Sequence, residues 1–374
     1  MAGLAPITAN RGPLTRIDRA AAVATGLLAV TGLLMAWLNA RAYGQELLSA
    51  DSLFVRMALW VGIATVVYCV VAWVNWQWVR TFAWPIYVAN ALLLIVTLVY
   101  GVDSGGNQRA IALFGVTIQS SEISKVVALI AVASALTRTG RARGEAGDIV
   151  VGLAVVGPLF VLVAIQPDLG TALVLAFSLF LALLLSGVAS RWLAGLVGLA
   201  AAATPIAWIF IVRDYQKERL LAFIDPNADP AGPKYQLLRS IDAIASGGIF
   251  GAGADGTASI TPLPVQESDF VFAALVRAFG AVGGLLVIAL IALLVLRLIA
   301  HAWNSEDAFG VILSGGMAGI ILFQALVNIG MNLGVAPITG LPLPFVSYGG
   351  ASVVSLAFGL GLVQSHRIYG GPPD

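Results

Sequence analysis

A chain of 374 residues with one cysteine, two histidines and only 10% charged residues lacks the parts from which most soluble enzymes are built. The lone thiol, Cys69, excludes an intramolecular disulfide and a thiolate zinc cluster. A net charge of +1 gives no electrostatic reason to expect nucleic acid as a partner. Scarce charge also excludes an ordinary water-facing surface, because 59% of the residues are hydrophobic. Lipid must therefore be the solvent for most of the chain.

Apolar runs of about 18 residues or more can cross a hydrocarbon layer as helices. Ten such runs are expected, near 20–38, 52–74, 81–101, 125–136, 149–165, 169–187, 192–212, 270–300, 309–331 and 343–364. The fourth is short, and the eighth is long enough to tilt or to begin outside the bilayer. The reading is an all-α integral membrane protein, a single domain over 1–374, with one large outer loop at about 213–269 between the seventh and eighth helices. Short loops rich in arginine stay cytoplasmic. Placing both termini inside puts Arg11, Arg16, Arg19, Arg80, Arg138, Arg141, Arg143, Arg191, Arg297 and Arg367 on that side. The first apolar run is too long for a signal peptide and reads as a retained anchor.

The large loop holds eight of the nineteen carboxylates, and long connections of this kind usually serve function. Within it, residues 237–245 carry apolar side chains at helical spacing, which predicts a short interfacial helix. The glycine-rich run 246–256 can be read as a backbone cradle for phosphate or as a turn between two helical pieces. A second outer loop, 102–124, carries Asp103, Arg109 and Glu122. Asp168, in a tight turn at 166–171, can cap the following helix or belong to a site. Both histidines fall at cytoplasmic ends, which leaves carboxylates, lysines and tyrosines as proton carriers outside. Among these Asp269 is the last polar residue before an apolar run, where poor solvation strengthens a carboxylate as a base and where a helix cap is the competing reading. Arg277, one to two turns deeper, must face a partner or a wet cavity, or snorkel to the surface.

Three passages resemble the SEDS family of peptidoglycan polymerases, whose branches are RodA, FtsW and SpoVE: QPDLGTA at 166–172, YQLLRSIDAIASGGIFGAG at 235–253, and NIGMNLGVAPITGLPLPFVSYGG at 328–350. Weaker matches at 108–109, 119–125, 219–226 and 263–272 extend the resemblance over nearly the whole chain in the family's order. The run Pro337 to Phe345 resembles the RodA elongation branch, with the FtsW and SpoVE division and sporulation branches as the alternative. This chain departs from the pattern in places. The family's Leu-Pro-Glu-x-His-Thr-Asp-Phe reads Leu263-Pro264-Val265-Gln266-Glu267-Ser268-Asp269-Phe270 here, keeping the aspartate and losing the glutamate and histidine. The following acidic pair is Arg277-Ala278, a usual tryptophan is Ala110, and a usual lysine is Ala252.

The resemblance implies a membrane glycosyltransferase that joins lipid II, an undecaprenyl-linked disaccharide pentapeptide, into glycan strands on the outer face of the plasma membrane during elongation. It implies Asp269 as the general base, with Arg109, Lys125 and Arg219 at the family's basic positions facing the pyrophosphate and Glu122 and Asp168 in the same site. No cofactor is certain; a divalent cation such as Mg²⁺ would suit the leaving group, but no ligand set can be read from the chain. Membrane lipids and a class B penicillin-binding protein are the expected partners, the latter meeting the glycine-rich eighth and ninth spans around Gly283 and Gly315. A lipid II flippase is the competing function, and a recruiting scaffold leaves the outer carboxylates unexplained.

Overall fold

The computed structural model describes residues 16–103, 108–113, 116–138, 146–210, 212–225, 232–253 and 266–370. Thirteen helices are seen among them: α1 (Arg19–Ala42), α2 (Leu53–Trp73), α3 (Trp76–Thr81), α4 (Ala83–Tyr100), α5 (Ser120–Arg138), α6 (Ala146–Ile165), α7 (Leu169–Leu185), α8 (Ser190–Phe210), α9 (Asp214–Ile224), α10 (Pro233–Gly247), α11 (Val271–Trp303), α12 (Ala308–Asn332) and α13 (Gly350–Tyr369). Eight of these are long and apolar enough to cross a membrane, namely α1, α2, α4, α5, α6, α8, α11 and α12. The sixth expected span is α7, apolar but of 17 residues, and the tenth is α13.

At the centre stands α5, buried from Lys125 through Ser134 and enclosed by α4, α6, α7, α12 and α13. A helix surrounded on all sides needs no polar face, so its apolar run lacks a stripe. It begins at Ser120 rather than near 125, which places Glu122 and Lys125 in its first two turns. The last helix likewise departs from expectation. It starts at Gly350, not near 343, because Pro342 and Pro344 deny the preceding segment helical hydrogen bonds. In that segment Phe345 holds a φ of 63°, a left-handed geometry that a bulky residue keeps only under tight packing.

One departure from all-helical structure is a three-stranded antiparallel sheet made of β1 (Val102–Asp103), β2 (Gln108–Leu113) and β3 (Val116–Gln119). β3 runs directly into α5. The large loop contains α9 and α10; the expected helix at 237–245 is the middle of α10, which has Pro233 at its first position and buries Leu237, Ser240 and Ala243.

The eighth span is broken. Gly280 takes φ 69° and ψ −170° inside α11, and the freed N–H groups of Ala281 and Val282 donate to the carbonyls of Gly248 and Ile249. A Cβ at Gly280 would lie within the Ile249 carbonyl, so glycine is required. In return Ala252 N–H donates to Arg277 O and Gly251 N–H to Gly247 O. Of the glycine-rich run 246–256, the carbonyls of Gly248 and Ile249 and the N–H of Ala252 are engaged by the broken helix, as a turn packed on it would be, while 254–256 lie outside the described residues.

The glycines expected to receive a partner, Gly283 and Gly315, are half-buried. A side chain at Gly315 would strike Leu185 of α7, and one at Gly283 would strike Phe279 of its own helix. Of the arginines expected on the cytoplasmic side, Arg11, Arg141 and Arg143 lie outside the described residues, as does the side chain of Arg138.

Candidate active site

Residues 266–270 form a turn that is clamped by its backbone. Asn328 and Asn332, one turn apart on α12, each donate Nδ2 to the Asp269 carbonyl, at 3.1 and 3.0 Å. Asn328 also donates to Leu341 O at 2.7 Å, and Asn332 Oδ1 accepts the Ala273 N–H at 3.0 Å. Ser347 donates to Ser268 O at 2.6 Å and accepts the Leu343 N–H at 2.8 Å. Two asparagines inside an apolar helix are costly unless they satisfy such groups, so this ladder fixes both the turn and the 341–348 segment. Both stand in the 328–350 passage that resembles the family, but neither was singled out as a site residue. The signal was a pair of polar residues at i and i+4 in a hydrophobic run.

The clamp presents Asp269 to a cavity of about 450 Å³. Arg56 and Trp60 of α2, Ala110 of β2, Gln119 of β3, Glu122 of α5, Glu267 and Ser268 line it, with Gly340, Pro342 and Tyr348 to Ser352 opposite. Gly340, at φ 75°, sits between two charges: a Cβ there would lie 3.5 Å from Arg219 Nη1 and 3.8 Å from Asp269 Oδ2. Arg219 and Asp269 thus both reach the space beside a residue with no side chain.

Glu122 reaches the wall, whereas Lys125 does not. The lysine is fully buried and donates to Glu122 Oε2 at 2.5 Å. Its expected contact with a pyrophosphate is corrected accordingly: in this geometry it holds Glu122 in place. Asp168 is also behind the wall. It caps α7 by accepting the Thr171 N–H at 3.1 Å, and its other oxygen accepts Ser121 Oγ at 2.7 Å and Gln119 Nε2 at 2.9 Å. It therefore both caps and orients cavity-lining Gln119. Arg109 lies in β2 beside Ala110, and its side chain is outside the described residues. Arg277 is 3% exposed and donates to Gln266 Oε1 at 3.4 Å, so it faces a partner rather than snorkelling.

Arg56 was missed. It lies at the cavity end of α2, where the arginine bias of membrane loops would not place it, and it pairs with Asp51 at 2.5 Å. Burial raises the Tyr348 phenol above its ordinary value, partly countered by the charge and hydrogen bond of Arg56. Among the described residues no group of three or more histidine, cysteine, aspartate or glutamate side chains is arranged to hold a metal ion.

A multi-pass helical membrane protein with a carboxylate and cations converging on a cavity at one end is a class suited to group transfer on a lipid-borne substrate. Comparison makes the class specific. The family model described as cell cycle protein, FtsW/RodA/SpoVE, matches residues 19–369, and the chain belongs to this family. It is 38% identical over 282 residues to the peptidoglycan glycosyltransferase MrdB of Escherichia coli K12, covering 75% of this chain and 76% of that one. It is 30% identical over 368 residues to stage V sporulation protein E of Bacillus subtilis, covering 95% and 98%. A chain solved in a peptidoglycan synthase complex that coordinates polymerization and crosslinking superposes with a TM-score of 0.78 at 29% identity, covering 94% of this chain and 97% of that one.

Proposed function

We infer that this chain, a peptidoglycan glycosyltransferase of the SEDS family, polymerises lipid II on the outer face of a bacterial plasma membrane with Asp269 as the general base. The observation that carries this reading is the clamped Asp269 turn opening on one cavity beside Arg219, Arg56 and Glu122. In the reaction the 4-hydroxyl of one lipid II sugar attacks C1 of another, and undecaprenyl pyrophosphate leaves. A sugar hydroxyl is a poor nucleophile, so Asp269 takes its proton as the bond forms. Arg219 and Arg56, fixed before the reaction, offset the charge that develops on the pyrophosphate. Glu122 and Gln119 offer acceptors for sugar hydroxyls, the first held by Lys125 and the second by Asp168. The lipid tail stays in the bilayer, since each buried methylene is worth about 0.8 kcal/mol.

The cavity end then faces outward and the end where Arg16, Arg297 and Arg367 gather is cytoplasmic, with both termini there. The arginine bias supports that orientation. The 337–345 run and the identity to MrdB favour the elongation branch. Complementation of an elongation-defective strain, and not of a division-defective one, is the expected result. Similarity to a chain from a synthase complex supports a class B penicillin-binding protein as partner.

The test is incubation of purified protein with labelled lipid II in detergent, with moenomycin silencing class A enzymes. Wild type makes polymer, and Asp269→Asn makes about 10² to 10⁴-fold less while binding lipid II almost as well. Equal polymer from both would remove Asp269 from the mechanism. No polymer from wild type, even with its partner present, would favour a flippase.

A further inference from the structure

Glu267 stands two residues before Asp269 and lines the same cavity. The SEDS pattern carries histidine there, so this chain has a carboxylate where a neutral or cationic ring is usual. Two hydrogen bonds fix its placement. Tyr43 Oη donates to Glu267 Oε2 at 2.7 Å. The Glu267 carbonyl accepts the Tyr348 N–H at 2.8 Å. Tyr348 in turn lines the cavity with Arg56, whose charge acts on its hydroxyl. Tyr43 is the residue that ends α1, so the first bond ties that helix end to the turn bearing Asp269. Burial, followed by the bond to Glu267, pushes the Tyr43 phenol well above its ordinary value, which keeps it a donor.

We propose that Glu267 is a positioning residue for glycosyl transfer: its negative charge, held in the cavity by Tyr43, makes Asp269 the stronger base. The proposal rests on the reading of Asp269 as the base. The charged and titratable groups facing the pair are Arg56 from α2, Glu122 from α5, Arg219 from α9, Tyr43 from the end of α1 and Tyr348 from the segment before α13. Of these, Glu122 is bonded to Lys125 and Arg56 to Asp51. Arg219 is the cation that shares the Gly340 gap with Asp269. An arginine beside a carboxylate favours the charged form and weakens it as a proton acceptor, while a second carboxylate acts in the opposite sense. Glu267 thereby lets Asp269 keep an orienting cation and still accept a proton.

The experiment measures kcat, KM and the pH–rate profile of lipid II polymerisation for wild type, Glu267→Gln, Glu267→His, Tyr43→Phe and Asp269→Asn, each monodisperse in detergent. Glu267→Gln and Glu267→His should move the acid limb about half a unit toward lower pH and lower kcat about 3- to 10-fold, with KM within about two-fold. Tyr43→Phe, which keeps the charge, should leave the limb in place and lower kcat less. If Glu267→Gln does not fold, Glu267→His carries the test with the family's own residue. An unmoved acid limb in the folded Glu267 variants, or a rise in KM alone, overturns the proposal. Full activity of Asp269→Asn would overturn the underlying reading instead, and the two failures are distinct.

Discussion

The two ends of the bundle use charge in opposite ways. Where the first and last described residues meet, Asp18 has a side chain 6% exposed and is bonded by Arg297 and Arg367, each at 2.9 Å. Its backbone N–H donates to Gln364 Oε1 at 3.0 Å, and Gln364 Nε2 returns to its carbonyl at 3.1 Å. Asp307 caps α12 and lies 3.5 Å from His366 Nε2. Asp18 and its two arginines satisfy one another and staple α1, α11 and α13 together, while Asp307 and His366 bring α12 against α13. At the cavity end the turn carrying Asp269 is held by its carbonyl groups, through Asn328, Asn332 and Ser347. At the first end charges paired with one another hold helices together; at the second a backbone clamp fixes the turn that carries Asp269 at the cavity wall.

The sharpest way to break this contrast is to exchange the readouts. Asp269→Asn should lose about 10² to 10⁴-fold of polymerisation while its melting temperature stays close to wild type. A large fall in melting temperature would place Asp269 with the staples. Next in size is Lys125→Met, because the Glu122–Lys125 pair is the cavity end's own buried staple. Leaving Glu122 buried without its cation should cost about 3 to 5 kcal/mol of stability, and Glu122→Gln in the same protein should restore much of it without restoring activity. Recovery of activity in the double variant would show that the pair has no role beyond packing. Smaller still is Asp18→Asn, which weakens charge-assisted hydrogen bonds at the opposite end and should cost about 1.5 to 3 kcal/mol with kcat per folded molecule unchanged.

How much of this was legible in the sequence follows the same division. The long apolar helices are visible because each is a local run, and the helix at Pro233–Gly247 is visible because its spacing is local too. The sheet was missed because its strands are short and follow one another inside what reads as a polar loop, although Ile111, Val116, Thr117 and Ile118 are β-formers. The break at Gly280 was missed because it depends on carbonyls from the 248–249 turn, about 30 residues earlier in the chain. Asp269 and Glu122, singled out by position and motif, both line the cavity, and their roles there are the subject of the proposed mechanism. The bond from Tyr43 to Glu267 spans 224 residues, and no local pattern encodes it. Lys125 was legible as a charge, but whether a buried cation meets a substrate or a neighbouring glutamate is decided by a single helical turn.

The smallest effect concerns pH at the stapled end and tests whether Asp18 works through its charge. Burial alone would raise its carboxyl, but the hydrogen bonds from Arg297 and the Ala21 N–H, with the charges of Arg367 and Arg297, outweigh it and hold the group below the usual carboxylate range. A carboxyl lowered in the folded state stabilises the fold fully above its unfolded value, near pH 4, and loses that contribution as pH falls through its folded value. The difference in melting temperature between wild type and Asp18→Asn should therefore stay constant from about pH 7 to 5 and shrink below about pH 4. Asp307 is also held low, first by its hydrogen bond with His366, so it too loses stabilisation in acid. It is present in both proteins, and subtracting one curve from the other removes its share. A difference that persists undiminished into strong acid would mean that Asp18 acts as a neutral cap of α1 through Ala21, and the contrast between the ends would then rest on Arg297 and Arg367 finding other partners.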